Sequence, residues 1–186
     1  RADLVDKELL ELMKKAGCIL AKYGVESGCE RVRNKIIGKN ISNQAIKRAF
    51  KYTKECGMSI VAFFVLGNPT ETIREMKETL GFAKQLDPDY AEFHLPIPIP
   101  GSKLLKIAVE EGKVNKNIWD EFVDGRDVPF YVPDGVSLED VRELRRRAYY
   151  GFYFRIPKIL KYVSRIKSVK DFLLKARNGF IALRDK

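Results

Sequence analysis

Three stretches concentrate the residue types that could hold a small molecule. The first is Gly24-Val25-Glu26-Ser27-Gly28, closing an apolar run that starts at Cys18, with Arg31 and Arg33 shortly after it. A carboxylate at the end of a buried strand is costly to desolvate unless it is bonded. Glu26 is therefore a salt-bridge or capping partner, or an acceptor for hydroxyl or amino groups of a ligand. Ser27 and Gly28 favour the ligand, because glycine lets a backbone approach closely. Arg31 and Arg33 can grip an acid through the guanidinium fork or lie on a solvated helix face. The second stretch, Val65 to Thr72, holds a tight turn at Gly67 and Pro69 that opens a helix, whose free N–H groups could meet an anion or a polar ring. The third, His94 to Ser102, contains the only histidine and prolines at 96, 98 and 100 that fix an extended exit from a strand. It is a rigid loop or one wall of a substrate pocket, and His94 is a structural group or a catalyst.

None of these stretches makes a catalytic machine by itself. One histidine does not assemble a Ser/His/Asp set. No carboxylate pair has a distinguishing spacing, no cluster of metal ligands is visible, and no GxxxxGKS/T phosphate loop is present.

The elements that must position the three stretches follow from caps and apolar spacing. Asp6 can cap a helix with Leu9, Leu12, Met13 and Ala16 inward, stopped at Gly17; a strand over 18–25 follows. Ser42 can cap a second helix with Ile46, Ala49, Phe50 and Thr53 inward, before a strand over 58–66. Thr72 and Glu75 have capping-box spacing for a third helix carrying Ile73, Met76, Leu80 and Ala83, ended by Asp87-Pro88-Asp89; a third strand spans 90–97. Ser102 can cap a short fourth helix ending near Gly112. Alternating helices and strands with short connections predict an α/β fold with parallel strands. The near-continuous apolar character of the second strand predicts burial on both faces. Ligands collect beyond the carboxyl ends of such strands, where the three stretches lie.

Charge is unevenly placed. Residues 142–186 hold 14 Lys/Arg against 3 Asp/Glu, whereas the whole chain has a net charge of +10. The positive charge thus belongs to a C-terminal segment. Three widely spaced cysteines, Cys18, Cys29 and Cys56, form no disulfide framework and no CxxC site; Cys18 and Cys56 read as small buried hydrophobes, and the set points to a reducing cytoplasm. No run reaches the roughly 18 apolar residues of a membrane span. The chain begins RADLVDKELL without an initiator Met and reads as cut from something longer.

The ordered triple GVESG, FFVLGNPTET and LPIPIPGS resembles the radical S-adenosylmethionine (SAM) enzymes, in the branch whose members often carry a cobalamin-binding domain and which includes the anaerobic magnesium-protoporphyrin ester cyclases. The match covers about residues 1–112. Departures are Asn68 for Leu, Thr70 for Gly and Ser102 where Thr is common. The resemblance implies the C-terminal half of a partial (βα)6 TIM-like barrel, with these strands as the fourth to sixth and residues 1–3 as the end of the third. It implies SAM and a 4Fe–4S cluster, whose CxxxCxxC ligands are absent from this chain, and cobalamin in the parent protein. The implied chemistry is that of an Fe–S oxidoreductase or methyltransferase using a 5′-deoxyadenosyl radical, with the isolated fragment inactive. It also implies cofactor contacts from Glu26, Ser27, Arg31, Val65, Leu66 and Gly67, and substrate contacts from His94, Pro96 and Pro98.

Domain boundaries follow: a partial barrel over 1–112, an irregular covering loop over 113–136 with Trp119, Phe122, Phe130 and Tyr131, and a basic helical tail over 137–186. Ser137 and Asp140 can box-cap a helix over about 138–155, and Ile156, Ile159, Leu160, Val163 and Ile166 recur at amphipathic helical spacing. That tail can dock on its own barrel, lie on a membrane surface, or contact nucleic acid through interleaved aromatics. The rival reading of the whole is a non-enzymatic basic α/β domain using this tail. Partners expected beyond the small-molecule substrate are the missing N-terminal part of the same protein and a second copy. A three-strand piece leaves one edge unpaired, which predicts self-association or a displaced tail over that edge.

Overall fold

The computed structural model describes residues 1–125, 127, 129–164 and 168. Three strands, β1 (Leu20–Glu26), β2 (Ser59–Val65) and β3 (Tyr90–His94), form one parallel sheet in the order β1-β2-β3. Helices α1 (Lys7–Lys15), α2 (Asn43–Glu55) and α3 (Ile73–Leu86) precede the three strands in turn. Helices α4 (Lys103–Glu110), α5 (Ile118–Val123), α6 (Leu138–Tyr153) and α7 (Ile156–Val163) follow. Asp6, Ser42, Thr72, Ser102 and Ser137 each accept a backbone N–H at a helix start, and the Thr72/Glu75 and Ser137/Asp140 capping boxes are complete.

The sheet buries one face. Ala21, Tyr23 and Val25 of β1, Ile60, Ala62 and Phe64 of β2, and Ala91 and Phe93 of β3 join Ile46, Ala49 and Phe50 of α2, Met76, Phe82 and Ala83 of α3, and Leu144, Ala148, Tyr149 and Phe152 of α6 in one core. On the opposite face Val61 is buried, whereas Lys22, Gly24, Phe63, Val65, Glu92 and His94 are exposed or half-buried. Burial of β2 on both faces thus holds in its first half, through Val61, and gives way to half-burial at Phe63 and Val65.

Four further expectations change. In α1 the buried residue is Leu10, while Leu9 and Leu12 are exposed. The expected stripe is exposed, and α1 packs beside α2. Residues 1–4 form a turn closed by the Leu4 N–H on the Arg1 carbonyl, rather than the end of a strand. The 113–136 segment contains α5, and Cys18 and Cys56 are half-buried rather than core.

The two sheet edges differ. On β3, Tyr153 Oη accepts the Ala91 N–H (3.0 Å) and donates to the Ala91 carbonyl (2.9 Å). Tyr149 Oη accepts the Phe93 N–H (3.0 Å) and donates to the Phe93 carbonyl (3.4 Å). Tyr162 donates to the Asp89 carbonyl at 2.6 Å. Side chains of α6 and α7 thus replace a neighbouring strand at every second residue of β3, a covered edge. Tail helices cover this edge, and among the described residues β1 pairs only with β2.

Candidate functional site

At the carboxyl end of β1 the register slips: Gly24 pairs with Phe63, but Glu26 pairs with Phe64. A bulge of this kind bends the strand and re-aims a side chain. Glu26 also takes φ 66°, the left-handed region that a non-glycine residue occupies at a cost. Its carboxylate comes to rest 2.8 Å from Lys39 Nζ, which also donates to the Gly24 carbonyl at 2.5 Å. A Cβ on Gly24 would lie 2.5 Å from Glu26 Oε1 and 2.8 Å from Lys39 Nζ, so glycine leaves the room this pair occupies. The pair is about one-fifth to one-quarter exposed.

Lys39 arrives from a loop that turns back through Gly38 and Asn40, both at positive φ. Arg33 locks that loop in place. Its guanidinium is fully buried and donates to the Ser27 carbonyl (2.7 Å) and the Ile41 carbonyl (2.8 Å). Burial pushes the Arg33 pKa down, and Glu30 at 3.4 Å opposes that shift. Arg33 is neither on a solvated face nor open to a ligand; it sits in a single π-helical turn, Val32–Ile36, that the sequence did not suggest.

Ser27 and Gly28 serve the packing of the loop. Ser27 is fully buried with its hydroxyl 3.0 Å from Thr79 Oγ1 of α3, and the Gly28 N–H donates to the same oxygen at 2.9 Å. A Cβ on Gly28 would stand 2.6 Å from Phe82 Cβ and 2.8 Å from Thr79 Cα. The close approach that glycine permits is therefore to α3. This corrects the expectation that Ser27 and Gly28 turn toward a ligand.

Arg31 is engaged by Glu75, with Nε and Nη2 at 2.6 and 2.9 Å from the two carboxylate oxygens, and it also donates to the Thr70 carbonyl. Arg31, then burial in opposition, then Thr72 set the Glu75 pKa, which is held down at about 2. A carboxylate ligand at Arg31 would have to replace Glu75.

The β2 exit divides. Val65 lies on the open face in the same row as His94, its register partner. Leu66 points into the core, and Gly67, at φ 92°, packs against Val141 of α6. Only the Leu66 and Gly67 backbones can face a ligand. Sequence reasoning missed Glu71, a buried carboxylate that accepts the Gly67 and Asn68 N–H groups, both at 2.9 Å. Burial raises its pKa against those hydrogen bonds. Its signal was its position at the end of the turn, which only the folded turn explains.

His94 stays on the open face, half exposed, stacked on Phe63 with ring centroids 6.0 Å apart and 3.3 Å from Glu92. Pro96 and Pro98 are buried: their carbonyls accept the Tyr131 N–H and the Trp119 indole N–H, respectively. Between these two prolines and just after them, Ile97 and Ile99 are exposed, one position out of phase with the expected Pro96 and Pro98 wall, and Pro100 is exposed as well. A shallow cleft of about 290 Å³ opens nearby between Lys35, Ile36, Pro69, Thr70, Lys103 and Ile107.

The open face thus presents Glu26 held by an ammonium, an aromatic–imidazole pair with Glu92 beside the imidazole, the exposed Lys22, and an aliphatic rim. These groups suit a ligand with an ammonium or hydroxyl end and a flat ring. They do not suit an iron–sulfur cluster. No group of three His, Cys, Asp or Glu that could hold a metal exists among the described residues, and the Cys29 thiol donates to Glu75 at 3.4 Å with its pKa pushed up by burial.

Comparison with known proteins bears on this geometry. Residues 1–83 match the model of the radical SAM superfamily. The chain is 33% identical to an uncharacterized methyltransferase of Pyrococcus horikoshii over 99% of its own length and 37% of that protein's. It is 26% identical to the anaerobic magnesium-protoporphyrin IX monomethyl ester cyclase of Rubrivivax gelatinosus, over 96% of this chain and 31% of the cyclase. Its fold superimposes on coproporphyrinogen III oxidase of Escherichia coli, a radical SAM enzyme, with a TM-score of 0.56 and 16% identity, covering 82% of this chain and 30% of the oxidase. The chain therefore spans about a third of the length of these proteins. The parallel sheet and the ordered strand exits thus belong to a chain that is similar to the radical SAM superfamily over residues 1–83 and shares its fold with the Escherichia coli oxidase.

Proposed function

We propose that the open sheet face of this chain forms half of a SAM-binding cradle in a radical SAM methyltransferase or oxidoreductase. The carrying observation is Glu26, displaced by a bulge and a left-handed backbone so that its carboxylate stands beside Lys39 above the open face. Such strain is sustained where surrounding structure over-determines it, and it concentrates at ligand sites.

When bound together with a 4Fe–4S cluster, SAM supplies one-electron chemistry that the protein's own groups lack. Glu26 accepts the ammonium of SAM or its ribose hydroxyls, and Lys39, 2.8 Å away, keeps that carboxylate aimed. Phe63, Val65 and His94 offer an apolar and aromatic wall, with the Leu66–Gly67 backbone at its rim. Ile97 and Ile99 face the substrate side. The cluster ligands lie outside the described residues, so the chain alone binds without turning over. A cobalamin, if the intact enzyme uses one, is likewise held elsewhere. Completing the cradle requires strands beside β1, from a preceding segment of the same polypeptide or from a second copy. The β3 edge is closed by tyrosines, while Ile19, just before β1, and Leu9 and Leu12 of α1 are exposed.

The test is titration of the 15N-labelled chain with S-adenosylhomocysteine, a stable analogue, followed by NMR. Shifts confined to Glu26, Phe63, Val65 and His94, and weakened by Glu26→Gln, are expected. Saturating ligand that moves none of these amides would overturn the reading.

A further inference from the structure

Helix α7 is turned inside out. Its sequence, Ile-Pro-Lys-Ile-Leu-Lys-Tyr-Val, places Ile156, Ile159, Leu160 and Val163 at i, i+3, i+4 and i+7, the stripe that normally faces a core. In the fold these four are 74%, 42%, 62% and 57% exposed, and Phe154 at the α6–α7 joint is 56% exposed. The residue turned inward is a lysine. Lys158 is buried, donates to the Pro88 carbonyl, lies 3.3 Å from Asp87 Oδ1 and stands over the Phe152 ring at 4.6 Å. Arg155 joins it on Asp87 at 2.7 Å, and Tyr162 fastens the next turn to Asp89. The helix is therefore held by its polar side, and that attachment keeps the apolar stripe pointing away from the body.

This refines the expectation that the tail docks on its own barrel: α7 does dock, but through the lysine face. Ile166, expected to continue the stripe, lies outside the described residues. A contiguous aliphatic stripe is uncommon on a soluble surface unless something covers it. The charge around it selects the occupant. Residues 142–186 hold 14 Lys/Arg against 3 Asp/Glu, so a neutral or cationic protein face is a poor complement. No helix among the described residues is long and apolar enough to cross a membrane. A short apolar stripe inside a strongly cationic segment, with the Tyr150 and Phe154 rings in tilted contact at its start, matches the chemistry of a helix that lies in the headgroup layer.

We propose that α7 is a peripheral membrane-binding element, its Ile156–Ile159–Leu160–Val163 face entering an anionic lipid surface while basic residues of the C-terminal segment other than Arg155 and Lys158 meet the headgroups. The attachment sits on the β3 side of the sheet and does not depend on SAM binding.

Co-sedimentation of the full chain with phosphatidylcholine vesicles, with and without about 30% phosphatidylserine, tests this. Binding to the anionic vesicles that falls with added salt is expected, and Ile156→Asp with Leu160→Asp should weaken it about tenfold or more while circular dichroism stays unchanged. A second variant, Ile159→Ser with Val163→Ser, guards against misfolding of the first and should weaken binding in the same sense. Equal binding to neutral vesicles would overturn the proposal. So would undiminished vesicle binding by both variants, binding to RNA in place of vesicles, or a dimer that buries the stripe and excludes lipid.

Discussion

Replacing Tyr153 with Phe removes a single oxygen atom and leaves two backbone groups of an edge strand without a partner. Tyr153 Oη both accepts from and donates to Ala91, at 3.0 and 2.9 Å, in a site largely closed to water. An unsatisfied buried donor or acceptor costs about 1–3 kcal/mol, and partial entry of water at an edge lowers the sum, so Tyr153→Phe should destabilise the fold by about 2–4 kcal/mol. Tyr149→Phe should cost about 1–2 kcal/mol, because its donated bond is the longer one, at 3.4 Å. Urea unfolding followed by circular dichroism measures both. Tyr150→Phe, one position from Tyr149 but half exposed, serves as the control and should change nothing measurable. A second consequence concerns alkali. Burial, opposed by the Ala91 hydrogen bond, pushes the Tyr153 pKa from 10.0 up to about 12. A raised pKa means stability that is complete below pH 10 and lost as pH climbs to about 12, amounting to roughly 2–3 kcal/mol. The Phe variant should lack that component of alkaline unfolding. A loss below about 0.5 kcal/mol for Tyr153→Phe, together with unchanged hydrogen exchange at Ala91, would refute the tyrosine-capped edge.

The loop and helix assignments yield further tests. Gly28→Ala forces a methyl against Phe82 Cβ and Thr79 Cα, neither of which is a flexible side-chain end, and should lower stability by about 2–4 kcal/mol by thermal or urea unfolding. Leu10→Ala should cost about 2–5 kcal/mol and Leu12→Ala almost nothing, the reverse of what α1 periodicity alone suggests. Glu75 is held at about 2, so its pairing with Arg31 is intact above its ordinary pKa of 4.5 and weakens as pH falls toward 2. Glu75→Gln should flatten the acid limb of the stability–pH profile in that window, as read by unfolding at stepped pH.

The helices and their starting points were legible in the sequence because capping is local. A Ser, Thr or Asp meets an N–H three residues on whatever the rest of the chain does, and the predicted caps at 6, 42, 72, 102 and 137 all form. The inward face of α2 was legible too, since both its turns and its partner strand follow from one apolar period. The ordered strand exits carried the family resemblance. Three things were decided only by tertiary structure. Which stripe of α1 and α7 faces inward depends on what lies beside each helix, and at Asp87–Asp89 the neighbour is a polar turn that takes a lysine over an isoleucine. The pairing of Glu26 with Lys39 depends on two left-handed residues and a buried Arg33 folding a loop back over 13 positions. The orientation of Ser27, Leu66, Pro96 and Pro98 depends on the bulge and on the covering segment, which shift by one residue the face each strand exit presents. Periodicity states that a segment has two faces; only the packed neighbours state which of them is inside.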